Sequence, residues 1–436
     1  MKESKFNFCL QDHTGMVIYN AKSDEIIALN PQLAEIYEQG KDAPGIIRDL
    51  HPELFSFLHK KGFFVEDDIN EVDAYIAANE EKEKEMNEFS ITINPTLACN
   101  MKCWYCYETH KSTPAMNANV KQAIIALIRK LSDSGTITKF NLSFFGGEPL
   151  LCFDKIIINI IDDAVSICKE KDIALNIHFT TNAYLLTESV LEQMKGLNVS
   201  FQITIDGNEN VHNTVRKTKN NEATYSTIIK HICLALFMGF PVGVRFNYTA
   251  KSLPSFIDVL SDFQNLPFSQ KEKVNFTFQR VWQDNDGDAK QIEEKVAEIE
   301  RSFENEGLIV IPSQSYAVPY CYADKKNSIV INYNGDLYKC TARDFAARNR
   351  EGILTSDGNI VWNSKYEKRM AIRHGSDFCR QCRIYPICHG GCSQMKLEGS
   401  DTESCPKGYD DEKILSIIKG RALFILGQYK KKNGIQ

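Results

Sequence analysis

Cysteine placement constrains this chain more than any other feature. Of 14 cysteines in 436 residues, Cys9, Cys152, Cys168 and Cys233 stand alone. Isolated thiols of this kind read as small buried apolar side chains. The other ten form two groups: Cys99, Cys103 and Cys106 within eight residues, and Cys321, Cys340, Cys379, Cys382, Cys388, Cys392 and Cys405 in the last third. The opening residues, MKESKFNFCLQDH, lack the apolar stretch of a secretory signal. No apolar run approaches the roughly 20 residues of a membrane helix. The expected location is therefore the cytoplasm, with no membrane partner. Thiols are kept reduced there, so grouped cysteines point to metal binding or catalysis rather than disulfides. With 51 Lys+Arg against 57 Asp+Glu, a net charge of −6, nothing favours nucleic acid as a partner.

The apolar pattern organises the rest. KFNFCLQ and MVIYNA alternate about a turn-like DHTG, and LNPQLAEIYEQ and LHPELFSFLHKKGFF follow with helical spacing. Residues 1–75 are expected to form a small α+β domain. Residues 76–89, largely IAANEEKEKEMNE, read as a charged linker or solvated helix. Over 90–305, strands are expected at Ser90–Asn94, Phe140–Phe145, Leu175–Thr180, Ser200–Ile205, Gly243–Tyr248 and Val274–Arg280, alternating with amphipathic helices. That rhythm predicts an α/β fold whose parallel sheet curls into a partial (β/α)6 barrel. Functional groups of such folds gather at the C-terminal ends of the strands. DNDGD, from Asp284, tests as an EF-hand and fails, because Gly287 sits at position 4 where the loop needs it at 6. Residues 306–410 are loop-rich and Cys-rich, and 411–436 read as a final helix.

The segment Thr96–Cys106 follows the first barrel strand. Three thiolates on one short loop can hold three corners of a cubane iron–sulfur cluster and leave one iron open. A structural zinc site is the competing reading, with His110 as the nearby fourth ligand. Phe144-Phe145-Gly146-Gly147-Glu148-Pro149 ends the second strand. Its glycines allow a backbone to approach a ligand closely, and Glu148 adds a carboxylate there.

Together these two motifs resemble the radical S-adenosylmethionine family. Cys99-x3-Cys103-x2-Cys106, with Tyr105 before the last Cys, is similar to the family's cluster loop, and Gly146-Gly147-Glu148 to its second motif. The resemblance implies that the three thiolates hold a four-iron, four-sulfur cluster. Its open iron would bind the amino and carboxylate groups of S-adenosylmethionine, and Gly146, Gly147 and Glu148 would receive the methionine ammonium. Thr181, Asn182 and Asp206 resemble family positions that contact the cofactor's ribose or carboxylate, turn formation being the competing reading of the Asn and of Asp206-Gly207, and Arg216 is a further candidate. The implied chemistry is reductive cleavage of the cofactor to a 5′-deoxyadenosyl radical, with electrons from a flavodoxin- or ferredoxin-type donor.

The second cysteine group fits two zinc sites, since C-x2-C pairs suit zinc. Its order and spacing also resemble the SPASM extension of radical enzymes, which carries two auxiliary iron–sulfur clusters. By that resemblance Cys379, Cys382, Cys388 and Cys405 hold the outer cluster. Cys321, Cys340 and Cys392 hold the inner one, and no cysteine in 305–320 completes it.

SPASM enzymes act mostly on peptides, and the strand-first unit at 1–75 is similar in size and position to leader-binding domains of peptide maturases. Such domains add the leader as a strand to a sheet edge; a plain cap on the barrel is the alternative. The expected activity is oxidative modification of a ribosomally made precursor peptide, with a thioether or other side-chain crosslink favoured. An anaerobic sulfatase-maturing enzyme and a non-enzymatic zinc-binding peptide adaptor are the competing readings.

Overall fold

Strict alternation of apolar and polar residues builds a parallel sheet where the sequence predicts one. The computed structural model describes residues 1–12, 15–108, 115–311, 320–399 and 404–433. Six parallel strands run Glu88–Asn94, Lys139–Phe144, Ala174–Thr181, Val199–Ile205, Val242–Tyr248 and Val274–Arg280. They are hydrogen-bonded side by side in that order. One face of each is apolar: Ile91, Leu142, Phe144, Ile177, Phe179, Phe201, Ile203, Val244 and Phe246 are buried. The helices Ala118–Asp133, Ile158–Glu170 and Tyr225–Phe237 cover that face with Ile124, Leu127, Ile160, Ile161, Ile228 and Ile232. Around the fifth and sixth strands Phe246, Phe256, Phe276 and Phe303 pack ring to ring at 4.8–5.5 Å. Burying one such side chain stabilises the fold by about 1.5–3 kcal/mol.

The sheet extends beyond the six strands. Ile309–Ile311 adds in parallel beside the sixth, and Ser328–Asn332 adds in parallel beside the first. Asp336–Tyr338, Gly352–Leu354 and Ile360–Trp362 continue from Ser328–Asn332 as an antiparallel meander. The sheet thus holds eleven strands among the described residues. DNDGD leads into the charged helix Ala289–Asn305, capped by Asp288. The Asp284 carboxylate accepts from Ala250 N and Arg280 Nε, as a turn would use it.

This sheet belongs to one of two compact units, residues 87–313 with 327–367. The other joins residues 1–86, 314–326 and 368–436. In it, Asn7–Asp12, Gly15–Asn20 and Glu25–Leu29 form an antiparallel sheet, followed by helices Pro31–Gly40, Gly45–Leu50 and Pro52–Lys60. His13 and Thr14 of the expected DHTG turn lie outside the described residues. Helix Glu71–Lys84, capped by Asn70, occupies most of the stretch read as a linker. Phe6, Phe8 and Tyr19 share a core with Ile384, Tyr385 and Ile418, the last from the C-terminal helix Asp411–Asn433. Of the isolated cysteines, Cys152 and Cys168 are buried and Cys233 is half-buried, but Cys9 is exposed. It lies on the edge strand Asn7–Asp12, where Leu10 and Gln11 after it are exposed as well.

Candidate iron–sulfur and cofactor site

The cysteine loop leaves the end of the first strand and is fixed backbone to backbone. Met101–Lys102 pairs antiparallel with Lys217–Thr218, and Lys219 N donates to Asn100 O at 3.0 Å. The Gly146–Glu148 turn seats directly on the loop: Gly147 N donates to Thr96 O at 3.3 Å and Glu148 N to Ala98 O at 2.8 Å. A Cβ on Gly147 would meet Ala98 O at 2.2 Å, and one on Gly146, whose φ is +99°, would meet Thr96 O at 2.6 Å. The close approach that demands these glycines is therefore to the cysteine loop itself. The sequence reading had assigned it to a ligand.

Glu148 is fully buried. Its Oε1 accepts from Leu150 N at 3.0 Å and Thr181 Oγ1 at 2.7 Å, and its Oε2 from Asn182 N at 2.8 Å. Burial pushes this carboxyl upward, and the three donors pull it back. Asn182 Nδ2 reaches Asn100 Oδ1 at 2.7 Å and lies 3.9 Å from Cys99 Sγ. Glu148, Thr181 and Asn182, from two strand ends, thus converge on the first cysteine.

Asp206 and Arg216 form a second anchor. They are joined by an ion pair with both side chains almost fully buried. Tyr105 Oη donates to Asp206 Oδ1 at 2.8 Å and accepts from Arg216 Nη2 at 2.7 Å and Asn247 Nδ2 at 3.2 Å. The aromatic residue inside the cysteine motif is thereby tied to the fourth and fifth strands. The Asp206 carboxylate is engaged by these partners. Sequence reasoning missed Asn247, because residues 105, 206, 216 and 247 carry no shared periodicity or spacing.

Cys99 is buried, and Cys103 and Cys106 are half-buried. Burial pushes Cys99 up to about 12 and Cys106 to about 11, and the charge of nearby Cys103 contributes to both. Thiols of this kind lose protons on binding metal. Cys99, Cys103 and Cys106 are the residues that would hold a cluster, beside the carboxylate of Glu148. His110, the ligand of the zinc reading, lies outside the described residues. Glu108 was also missed by sequence reasoning. It sits two residues past the motif with Oε2 buried and unpartnered among the described residues, and desolvation pushes its carboxyl to about 7.

In the other unit Cys379, Cys382, Cys388 and Cys405 line one cavity of about 550 Å³. Gly390, at positive φ, lines it and packs on Gly375: a Cβ on Gly375 would lie 2.6 Å from Cys379 Cβ, and one on Gly390 2.8 Å from Gly375. Among the described residues no three His, Cys, Asp or Glu side chains converge on a single-ion site. The four thiols line one space. Phe8 and Arg383 close one side, the guanidinium 4.3 Å from the ring centroid. Of the inner set, Cys321 is exposed and Cys392 half-buried in this unit, and Cys340 is half-buried in the sheet unit. Among the described residues no helix is long and apolar enough to cross a membrane.

Comparison with known proteins agrees with this geometry. Residues 93–250 match the radical SAM superfamily model. An uncharacterized protein of Methanocaldococcus jannaschii is 26% identical over 260 residues, 57% of this chain and 84% of that one. A probable GTP 3',8-cyclase of the same organism is 32% identical over 182 residues, but only 40% of this chain and 55% of the cyclase are covered. Among solved structures, anSMEcpe with bound AdoMet and Kp18Cys peptide superposes with a TM-score of 0.60 at 16% identity, over 78% of this chain and 99% of that one. Streptococcus suis SuiB bound to precursor peptide SuiA gives 0.54 at 16% identity, over 93% and 99%. A 93% match leaves about 31 of 436 residues uncovered, fewer than the 75 of the N-terminal segment, so part of that segment has a counterpart in the SuiB fold. The motifs, their docking on one another and the matched sequence agree: residues 93–250 carry a radical SAM domain.

Proposed function

We propose that this chain is a cytoplasmic maturase that oxidatively crosslinks a ribosomally made precursor peptide, with a thioether as the favoured product. The observation that carries this reading is the second, four-thiol cavity of Cys379, Cys382, Cys388 and Cys405 in a chain that also bears the radical SAM motifs. When bound, S-adenosylmethionine and its cluster supply a carbon-centred radical that removes hydrogen from an unactivated C–H bond. The chain's own residues hold and orient. Cys99, Cys103 and Cys106 bind the cluster, and Glu148, steadied by Thr181 and Asn182, offers negative charge to the cofactor's ammonium. Cys379, Cys382, Cys388 and Cys405 would hold an outer auxiliary cluster and Cys321, Cys340 and Cys392 an inner one, and these would supply an electron acceptor for the substrate radical. A flavodoxin- or ferredoxin-type protein supplies the reducing electron. The leader of the precursor adds as a strand to the free edge Glu25–Leu29, because Arg383 already donates to Asn7 O on the opposite edge strand.

SuiB, crystallised with a precursor peptide, favours this reading, as it matches more of the chain than anSMEcpe does. The test is anaerobic reconstitution followed by metal analysis and incubation with S-adenosylmethionine and leader-bearing, Cys-containing synthetic precursor peptides. Three four-iron clusters predict about twelve iron atoms per chain, and a crosslinked peptide is lighter by two hydrogen atoms. Zinc with almost no iron supports the adaptor instead. Turnover of a short leaderless sulfatase-type peptide supports formylglycine formation.

A further inference from the structure

The face of the sheet opposite the helices is polar along its whole length. It carries Ser90, Thr92, Asn141, Ser143, Asn176, His178, Thr180, Ser200, Gln202, Thr204, Arg245 and Asn247, all half-buried, while the residues between them are buried. At its lower end the polar groups satisfy one another: Asn198 Nδ2 donates to Asn176 Oδ1 at 2.6 Å, Asn176 Nδ2 to Asn141 Oδ1 at 2.9 Å, and Asn141 Nδ2 to Glu88 Oε2 at 3.3 Å. At its upper end lie the Asp206–Arg216–Tyr105 anchor and the cysteine loop. His178 stands between these belts, opposite Ser143 and Ser200 in the strand register. Its Nδ1 lies 2.9 Å from Ser200 Oγ. The other charged groups on the face are spoken for: Glu88 pairs with Lys139 at 3.0 Å, Asp206 with Arg216, and Arg245 donates to Asn247 Oδ1 at 2.9 Å. None of them moves the titration of His178; burial alone lowers it and keeps the imidazole neutral.

We propose that His178, oriented by Ser200 on the polar face of the sheet, is the proton-accepting residue for the substrate. Thr181, at the strand end, is three residues up the same strand, roughly 10 Å, so the proton reaches His178 through water. The inference rests on the crosslinking reading. Thioether closure replaces one S–H and one C–H bond by a C–S bond. One hydrogen leaves as an atom to the S-adenosylmethionine-derived radical, one electron goes to an auxiliary iron–sulfur cluster, and the thiol proton goes to His178. With Nδ1–H donating to Ser200 Oγ, Nε2 presents the lone pair that takes it.

Two measurements test this. In the full chain labelled with 13C-histidine, the signal that His178→Gln removes is expected to titrate below an exposed histidine, and Ser200→Ala is expected to move it. A midpoint at or above the exposed value, or no response to Ser200→Ala, overturns the proposal whatever the enzyme's substrate. In the reconstituted enzyme with a Cys-containing precursor peptide, His178→Gln is expected to keep S-adenosylmethionine cleavage within about twofold. Crosslinked product falls tenfold or more, and the acid limb of its pH profile disappears. Undiminished product, or an unchanged acid limb, overturns the role of His178. Failure of the wild-type enzyme to crosslink any such peptide overturns the reading of function and, with it, the need for a substrate proton acceptor.

Discussion

Replacing Gly147 by alanine tests whether the two radical SAM motifs form one mechanical unit. The added Cβ would lie 2.2 Å from Ala98 O, 2.5 Å from Ala98 C and 2.7 Å from Leu97 O. All three are backbone atoms, so no side chain can swing aside. The turn must withdraw by about an ångström, with an overpacking cost of about 1–3 kcal/mol. It also gives up the 2.8 Å bond from Glu148 N to Ala98 O, which contributes about 0.5–1.5 kcal/mol. Together the loss is roughly 2–4 kcal/mol, or about 4–16 °C in Tm for a domain of this size. Glu148 moves with the turn, and a displacement of about 1 Å costs on the order of a hundredfold in rate. Thermal melts and 5′-deoxyadenosine release under dithionite measure the two effects. Gly427→Ala is the control, because nothing lies within 4 Å of its Cβ and it sits in the Asp411–Asn433 helix. It is expected to be neutral or to stabilise by about 0.5–1 kcal/mol. A Gly147→Ala chain with wild-type melting and wild-type cofactor cleavage would falsify the docking argument.

Other substitutions probe the remaining contacts. Tyr105→Phe leaves Asn247 Nδ2 and Arg216 Nη2 without their phenolic acceptor and is expected to destabilise by about 1–3 kcal/mol in urea melts; a change under about 0.5 kcal/mol contradicts the anchor. Cys99→Ala is expected to abolish cofactor cleavage in a chain that still folds. Cys388→Ala should lower iron by about four atoms per chain, keep cleavage measurable and impair product, so normal product yield argues against an essential outer cluster. His212 is buried, its Nδ1 accepting from Asp206 N, and burial holds its pKa well below the ordinary value. A depressed folded pKa means that the unfolded chain binds the extra proton first, so stability present at neutral pH is lost as pH falls below about 6.5. His212→Asn should flatten that acid-side slope by up to about 1.4 kcal/mol per pH unit, and identical slopes in denaturation at pH 7 and 5.5 count against it. Ala28→Pro, at an exposed position of the Glu25–Leu29 edge, should weaken binding of a fluorescent leader peptide in a chain that still melts cooperatively. Unchanged affinity removes that edge from the reading.

Local patterning made the barrel strands readable, because each alternates over five or more residues and begins and ends within two residues of expectation. Ile309–Ile311 and the strands from Ser328 to Trp362 were not foreseen. They are three to five residues long, and Ser328–Asn332 is buried at every position, which erases the period of two. Spacing singled out the cysteine loop, whereas Glu148 drew its weight only from the resemblance of Gly146-Gly147-Glu148 to the family's second motif. The reason for Gly146 and Gly147 was not legible, since a glycine's neighbour across the fold leaves no trace in sequence. The same holds for the polar face of the sheet. His178 and Ser200 are unremarkable members of two strands until the register sets them side by side.

A loop with only a two-residue strand of its own cannot hold three thiols in a fixed arrangement; the sheet has to impose it. It does so at three points. The Gly146–Glu148 turn grips Thr96 and Ala98 from the second strand, Asn182 reaches Asn100 from the third, and Asp206 and Asn247 hold Tyr105 from the fourth and fifth. Each contact arises at the C-terminal end of its strand, so the curvature of the sheet sets the distances between them. Glu148 joins two of these points, because its carboxylate receives Thr181 and Asn182 while its own N–H grips the loop. Loss of that carboxylate therefore loosens the cysteine loop as well as removing the negative charge that the proposed function gives to cofactor binding. Glu148→Gln separates the two effects. It keeps the backbone bond to Ala98 and can keep the Thr181 contact, but its amide opposes the Asn182 N–H with a donor or gives up Thr181. If cofactor cleavage falls while melting stays near wild type, the charge matters most; if both fall together, Glu148 acts chiefly by holding the loop.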